Sequence, residues 1–337
     1  MTVLGIETSC DECSVAIVID GRNILSNVVA TQIEFHKPYY GVVPEIASRK
    51  HVEWIVPTAI RALAEAKQSV EAIDGVAVTY RPGLVGSLLV GLNFAKGLSI
   101  ALGIPFVGVD HILAHLYAPH LEADIPYPYL GLLVSGGHTL IAVVEGFDDI
   151  RVLGSTIDDA CGEAFDKVAK FYDMGYPGGV AIEKLAQNGN PDAFAFPWPS
   201  LHKGDHRYDV SYSGLKTAAA NQLDQFRKQG SSSSPANIAA SFQKTAIDLL
   251  VERVLLALTD TGLSRVVVGG GVAANKYLRE QLVVRTGGRV VFPAVRLCTD
   301  NAAMVAGLGF SLLRRGDCSA LNLRAEARVP AFRKSYP

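Results

Sequence analysis

The sequence predicts an α/β protein of two lobes, and three observations carry that prediction. The chain has 337 residues, more than one compact core usually takes. Two stretches share one pattern of three short apolar strands joined by tight turns: residues 2–6, 14–19 and 24–29, then 130–134, 140–145 and 151–155. After each meander, strand-length apolar runs alternate with longer runs of helical spacing, the mark of an α/β sheet. The two meanders agree in pattern rather than in identity, so the lobes read as a duplicated fold.

Hydrophobic residues make up 49% of the chain and charged residues 19%, enough apolar side chain for large cores. The formal net charge of −2 excludes an overall basic surface, so any RNA contact must rest on local patches. The five cysteines, Cys10, Cys13, Cys161, Cys298 and Cys318, lack regular spacing and point to a reducing compartment. No signal peptide precedes the first strand. The most apolar run, residues 83–103, carries Ser87, Asn93 and Lys96 and reads as a buried helix rather than a membrane span. A cytoplasmic protein without membrane contact is the expectation.

Each element has its own signal. Residues 44–66 place Ile46, Val52, Ile55, Ile60 and Leu63 at helical spacing, with Pro57 expected to kink or split the helix. Strand 73–79 leads through Arg81-Pro82-Gly83 into the long Gly/Leu helix, and strand 104–109 feeds a helix bearing His111 and His115. Pro126 and Pro128 mark a lobe boundary, giving one lobe of residues 1–125, completed by 305–337, and another of 126–304. A helix is expected over 158–172, then the turn Tyr176-Pro177-Gly178-Gly179 and a short helix to about residue 187. Residues 188–214 read as irregular, followed by helices to about 229 and, capped by Ser234 with Pro235 at its first position, to about 258. Strands at 265–268 and 290–292 flank another helix, and Asp300 opens the last one, to Arg315.

The residues that carry chemistry form three groups. His111 and His115 lie four apart, which puts both imidazoles on one helix face where they can take one metal ion. Satisfied core or surface histidines meet that spacing as often. The third ligand must come from elsewhere, and Asp300 in Cys298-Thr299-Asp300-Asn301 is the choice. A metalloprotease would need Glu after the first His; Ile112 and Leu113 stand there, so that reading falls. The second group is the glycine turns. Gly269-Gly270-Gly271-Val272-Ala273-Ala274-Asn275 between strand and helix, and Ser135-Gly136-Gly137 in the second meander, would let a ligand approach the backbone. Together with the first meander they fit the two-lobed architecture of actin, heat-shock proteins and sugar kinases, in which ribonuclease-H-like duplicated lobes clamp a nucleotide. The third group is carboxylates. Asp11, Glu12, Asp166 and Glu183 are open to ribose binding, base work or metal contact, whereas Asp158, Asp159 and Glu163 suit a helix start. Cys10-x-x-Cys13 sits in a strand turn with no helix following and reads as incidental. Lys203, Arg207, Lys216 and the basic tail from Arg324 to Lys334 are the candidate RNA phosphate contacts, though ordinary solvated charges explain them equally well.

Read together, the motifs resemble the TsaD family of bacterial tRNA adenosine threonylcarbamoyltransferases. The resemblance rests on Gly5-Ile6-Glu7-Thr8-Ser9-Cys10-Asp11-Glu12, Gly41-Val42-Val43-Pro44-Glu45-Ile46-Ala47-Ser48-Arg49 with His51, and the His111/His115 pair. It continues through Leu133-Val134-Ser135-Gly136-Gly137-His138-Thr139, Gly162-Glu163-Ala164-Phe165-Asp166-Lys167, Tyr176-Pro177-Gly178-Gly179, Tyr212-Ser213-Gly214-Leu215-Lys216, the triple-glycine turn and Cys298-Thr299-Asp300-Asn301. It implies transfer of threonylcarbamoyl from threonylcarbamoyl-AMP to N6 of adenosine 37 in tRNAs reading ANN codons. It implies one divalent metal ion, iron or zinc, on His111, His115 and Asp300. Nucleotide contacts would fall on Leu133, Val134, Ser135, Gly136, Gly137, Asp166, Gly179 and Asn275, with Glu183 nearby. Asp11 or Glu12 would accept the amine proton. Implied partners are tRNA, a TsaB-like inactive paralogue meeting the helix at 44–66, and a TsaE-like ATPase; a homodimer is a further expectation. The sequence departs from the family pattern at several places. Arg81 stands where glycine is usual, Cys13 where threonine is, and Leu133 where distant relatives place a metal-touching tyrosine. A sugar or metabolite kinase of the same fold and a catalytically silent scaffold are the competing readings; neither needs the two histidines.

Overall fold

The computed structural model describes residues 1–198, 206–228 and 235–329. These fall into two compact units, Met1–Ile125 with the described residues from Pro293 onward, and Pro126–Phe292.

In the first unit, β1 (Thr2–Glu7), β2 (Glu12–Ile19) and β3 (Asn23–Thr31) form the antiparallel meander. The short α1 (Ile33–His36) and the long α2 (Pro44–Ala66) lead to β4 (Gly75–Arg81), which pairs in parallel with β1. Then α3 (Val85–Leu102) crosses to β5 (Phe106–Asp110), and α4 (His111–Tyr117) follows at once. The sheet order is β3-β2-β1-β4-β5. β1 is central and buried along almost its whole length, which is why it reads as an unbroken apolar run rather than an alternating one.

Pro57 does not split α2, which runs unbroken from Pro44 to Ala66. Pro57 and Glu53 both lie on the exposed face, so the carbonyl that loses its partner is left to water. α3 is long and apolar enough by length and composition to cross a membrane. It buries only one face, through Ser87, Leu88, Gly91, Leu92 and Ala95 against α2 and β4. Val85, Leu89 and Ile100 stay exposed, so the helix is not buried all round as its composition suggested.

The second unit repeats the plan. β6 (Tyr129–Val134), β7 (Thr139–Gly146) and β8 (Asp149–Ser155) are antiparallel neighbours. Five helices follow in the crossover regions: α5 (Cys161–Phe171), α6 (Gly178–Ala186), α7 (Ser213–Lys228), α8 (Pro235–Thr261) and, beyond β9 (Val266–Gly269), α9 (Lys276–Arg285). β10 (Val290–Val291) completes the order β10-β9-β6-β7-β8, with β9 parallel to β6. α8 places Ile238, Phe242, Ile247, Leu250 and Val254 in the core. The proposed cap Ser234 and the contact Lys203 lie outside the described residues, as do Arg333 and Lys334.

Two acidic residues expected at the start of α5 do other work. α5 begins at Cys161, and Glu163 alone reaches back, accepting the Ala160 N–H at 3.4 Å. Asp158 instead accepts the N–H groups of Tyr212 (2.8 Å) and Ser213 (3.2 Å) at the start of α7. Asp159 holds Lys167 at 2.5 Å and Lys216 at 2.6 Å.

The last helix, α10 (Ala302–Arg315), belongs to the first unit and packs across β1, β2, β4 and β5. Side chains at Gly5 or Gly309 would overlap Ala302 or Ala77, so these glycines set how closely α10 approaches the sheet. The chain rejoins this unit at Pro293, ahead of residue 305. Glu122 accounts for this by accepting the Ala294 N–H at 2.7 Å and pairing with Arg296 at 2.8 Å.

Candidate functional site

The metal-type cluster lies in the first unit, just past the carboxyl end of β5, where open α/β sheets place ligands. Asp110 ends the strand and caps α4, its Oδ1 accepting the N–H groups of Ile112 (2.9 Å) and Leu113 (3.4 Å). Arg81 at the end of β4 donates to the other oxygen of Asp110 at 3.0 Å and reaches Glu326 at 3.4 Å. The residue that breaks the family pattern thus braces the helix carrying the histidines. Burial pushes the Asp110 carboxyl up to about 6 against the pull of Arg81 and the cap N–H groups.

His111 and His115 follow one turn apart, both nearly inaccessible, with ring centroids 4.5 Å apart. Asp300, two residues before α10, places Oδ1 3.0 Å from His115 Nε2 and 3.7 Å from His111 Nε2. All three ligand atoms lie within 4.8 Å of one another. Two ligands about 2.1 Å from one ion at a tetrahedral angle lie about 3.4 Å apart, so these separations suit a shared ion. The donor set, two imidazoles and a carboxylate, suits a borderline divalent metal. The group therefore fits a metal ion.

The electrostatics of the two histidines differ. Burial lowers the His111 imidazole, but the Asp300 and Glu7 carboxylates outweigh it and hold it at about 9. His115 is lowered by burial and by the charge of His111. Glu7, which no sequence motif singled out for a role, lies fully buried 3.2 Å from His111 Nδ1. A signal for it was present: it is the one charged residue of an otherwise apolar strand.

Asp11 and Glu12 sit at the β1–β2 turn of the same unit. The turn is held by His51 Nε2–H donating to the Cys10 carbonyl at 2.9 Å and by the Leu84 N–H donating to that of Ser9 at 2.8 Å. Thr8 Oγ1 donates to the Ser87 carbonyl at 2.9 Å, fixing the turn to the start of α3. Burial, then the charges of Asp11 and Asp300, push the Glu12 carboxyl well above its ordinary range. Cys10 and Cys13 are both free thiols.

The second unit carries the glycine turns. Ser135 to His138 close the β6–β7 hairpin, with the Ser135 N–H donating to the His138 carbonyl at 2.8 Å. Gly136 and Gly137 are exposed, with open space where a side chain would begin. The start of α5 abuts this turn, since the Gly162 N–H donates to the Ser135 carbonyl at 3.1 Å. Gly270 has φ +95°, and a side chain there would run into the Val134 carbonyl, so this glycine serves both backbone conformation and packing. Asp166 Oδ1 accepts the Gly178 N–H at 2.7 Å, tying α5 to α6, and Gly179 is open. Glu183 accepts the Lys276 N–H at 2.7 Å beside Asn275. Asn275 caps α9 through its oxygen (Leu278 N–H, 3.0 Å) and donates its amide to Gln243, a partner that sequence reasoning missed, at 3.0 Å. The Leu133 and Val134 side chains are fully buried, leaving only their backbone to meet a ligand. Two of the candidate phosphate contacts are engaged: Arg207 with Asp260 through bonds of 2.8 and 3.0 Å, and Lys216 with Asp159.

The family model described as TsaD, tRNA N6-adenosine threonylcarbamoyltransferase, matches residues 23–307. The chain belongs to the TsaD family. A relative in Treponema denticola named tRNA N6-adenosine threonylcarbamoyltransferase is 61% identical over 334 residues, covering 99% of both chains. One of the same name in Borreliella burgdorferi is 52% identical over 336 residues, covering 100% of this chain and 96% of that one. Among solved structures, full-length HypF in its phosphate- and nucleotide-bound form matches with a TM-score of 0.60 at 15% identity, over 94% of this chain and 47% of that one. Component A of the (R)-2-hydroxyglutaryl-CoA dehydratase of Acidaminococcus fermentans matches at 0.55 and 15%, over 92% of this chain and 98% of that one. These structural likenesses carry the fold, and the two units of shared strand order agree with the duplicated ribonuclease-H-like plan. Membership of the TsaD family also sets aside the kinase reading.

Proposed function

We propose that the chain transfers the threonylcarbamoyl group of threonylcarbamoyl-AMP to N6 of adenosine 37 in tRNAs reading ANN codons. The observation that carries this is the full-length identity of 61% to a relative named for that activity, in a chain that retains His111, His115 and Asp300. The exocyclic amine of adenosine is a weak nucleophile, because its lone pair is delocalised into the ring. The amine nitrogen forms the new bond to the carbamoyl carbon, the bond from that carbon to the phosphate oxygen breaks, and AMP leaves with the electron pair. The amine proton must go to a base.

His111, His115 and Asp300 would hold one iron or zinc ion, which when bound polarises oxygens of the donor and offsets phosphate charge. The backbone N–H groups of Gly136 and Gly137, at the tip of the Ser135-Gly136-Gly137 turn, would offer hydrogen bonds to phosphate oxygens. Leu133 and Val134 would contribute backbone alone. Asp166 and Glu183 support the nucleotide site by fixing the starts of α6 and α9, and Gly179 and Asn275 lie at those starts. Asp11 or Glu12, at the β1–β2 turn of the first unit, would accept the amine proton. Full transfer activity in both Asp11→Ala and Glu12→Ala would remove them from that role.

Partners follow from the same reading. Val52, Val56 and Ile60 form an exposed apolar stripe on α2, and Val85, Leu89 and Ile100 are exposed on α3, which packs against it. This face suits the TsaB-like paralogue, with a second copy of this chain as the competing occupant. A TsaE-like ATPase completes the set, in the cytoplasm. Arg324 and Arg328 remain the described tail residues for tRNA phosphate; removing them should flatten the salt dependence of tRNA binding.

The deciding experiment incubates the chain with tRNA and threonylcarbamoyl-AMP, with and without the two partners, and reads the digested nucleosides by mass spectrometry. The expected result is the mass of threonylcarbamoyl on adenosine, lost with His115→Ala. No modified nucleoside in either arm, from metal-loaded protein, would defeat the proposal.

A further inference from the structure

We infer that Glu7 is a positioning residue of the metal centre: it fixes the tautomer of His111 that leaves Nε2 as a bare ligand atom. The inference rests on the reading that His111, His115 and Asp300 hold a metal ion.

Glu7 is the last residue of β1 and is 0% exposed. Its Oε1 accepts the Ser9 N–H at 2.6 Å. Its Oε2 accepts the Thr79 hydroxyl at 2.5 Å and faces His111 Nδ1 at 3.2 Å. Ser9 Oγ lies a further 3.2 Å from the same ring nitrogen. Burying an ionised carboxylate costs several kcal/mol unless its oxygens are satisfied. An apolar residue would satisfy the strand, so packing does not explain a carboxylate here.

The hydrogen-bond inventory does. A carboxylate only accepts, and the Ser9 N–H can only donate. With Thr79 also donating, the carboxylate meets His111 as an acceptor, so Nδ1 carries the proton. In a neutral imidazole the other nitrogen is then unprotonated, and here that is Nε2, the atom facing Asp300. Glutamine would have the same shape and the wrong polarity. Its NH2 would meet either the Ser9 N–H or the Thr79–His111 side, and in the second case it favours the tautomer with a proton on Nε2. A ligating histidine that gives its second N–H to a carboxylate is oriented and made more basic by it. His115 contrasts: its Nδ1 is buried with no hydrogen-bond partner among the described residues. Charge points the same way, since Glu7 and Asp300 together balance a divalent ion against two neutral imidazoles.

The test uses the full-length chain and Zn2+ alone, with affinity read by competition against a chromogenic chelator. Wild type, Glu7→Gln, Thr79→Val and His115→Ala are compared, with folding followed by circular dichroism. Glu7→Gln should weaken Zn2+ binding about 10- to 100-fold, the range for an outer partner of a metal-bound histidine. Thr79→Val removes a donor to the same oxygen without touching His111, and should weaken binding far less. Unchanged affinity in folded Glu7→Gln, or an equal loss in Thr79→Val, would overturn the inference. Should Glu7→Gln not fold, 15N spectra of the histidine rings in Zn2+-loaded wild type decide: a proton on Nδ1 of His111 supports the role, and a proton on its Nε2 ends it. Failure of the underlying metal reading looks different, because wild type would then bind no better than His115→Ala.

Discussion

The two units share one strand order but differ in the turn that follows their first strand. In the first, the β1–β2 turn is framed by Glu7, Asp11 and Glu12, with Asp300 close enough to raise the Glu12 carboxyl. In the second, the β6–β7 turn is Ser135 to His138, neutral, with the open backbone of Gly136 and Gly137 at its tip. Topology sets where the turn lies; side chains decide what it can hold. A turn crowded with carboxylates beside two imidazoles suits a cation. A turn stripped of side chains presents amides, which suit an anion. Two equivalent positions in one strand order thus differ in the charge that their side chains suit.

Substitutions in one unit at a time test this division. The largest effect should come from His115→Ala, which removes a ligand and should weaken Zn2+ binding by more than about 100-fold, beyond the range for an outer partner. Circular dichroism should stay native, because the helix keeps its Asp110 cap. Next is Gly270→Ala in the second unit, where φ is +95° and the Val134 carbonyl occupies the space. A loss of about 2–3 kcal/mol is expected in urea unfolding, with Zn2+ affinity intact. A parallel loss of Zn2+ affinity would break the division.

Acidity offers a third probe. In the metal-free chain His111 is held at about 9, so at neutral pH it carries a proton that an incoming ion must displace. Zn2+ affinity should therefore rise about tenfold per pH unit up to about pH 9 and then level off. The sign for stability runs the other way: the raised value stabilises the metal-free fold below the ordinary histidine range, and that contribution is lost as pH rises through about 9. A pH-independent affinity would mean that the carboxylates around His111 do not act on it. The smallest effect is expected from Arg81→Ala, which leaves Asp110 without its guanidinium. Asp110 is 4% exposed but Arg81 is 31% exposed, so solvent screening limits the loss to about 1–2 kcal/mol in thermal or urea unfolding.

Much of this was legible in the chain. His111 and His115 could be paired because helical spacing is a local property, and the two meanders because alternation and turn residues are local too. The fate of α3 was half legible: its composition announced an apolar helix, but not that only one face would be covered. The partners of Asp158 and Asp159 were not legible, since Asp158 serves the distant start of α7 and Asp159 holds two lysines, one of them on α7. The sequence predicts a kink or split at Pro57 because it does not say which face of α2 the residue occupies.

What the sequence alone determined is the duplicated α/β plan, the family and the spacing of the His111/His115 pair, because periodicity and motif residues are written within a few positions of each other. What only the tertiary structure decided is who meets whom. Glu7 reaches His111 across 104 positions and His115 reaches Asp300 across 185, and Arg81 braces the cap of α4 from a neighbouring strand. Those contacts depend on strand order and on α10 lying close over Gly5, and no local pattern encodes a distance between residues that only packing brings together.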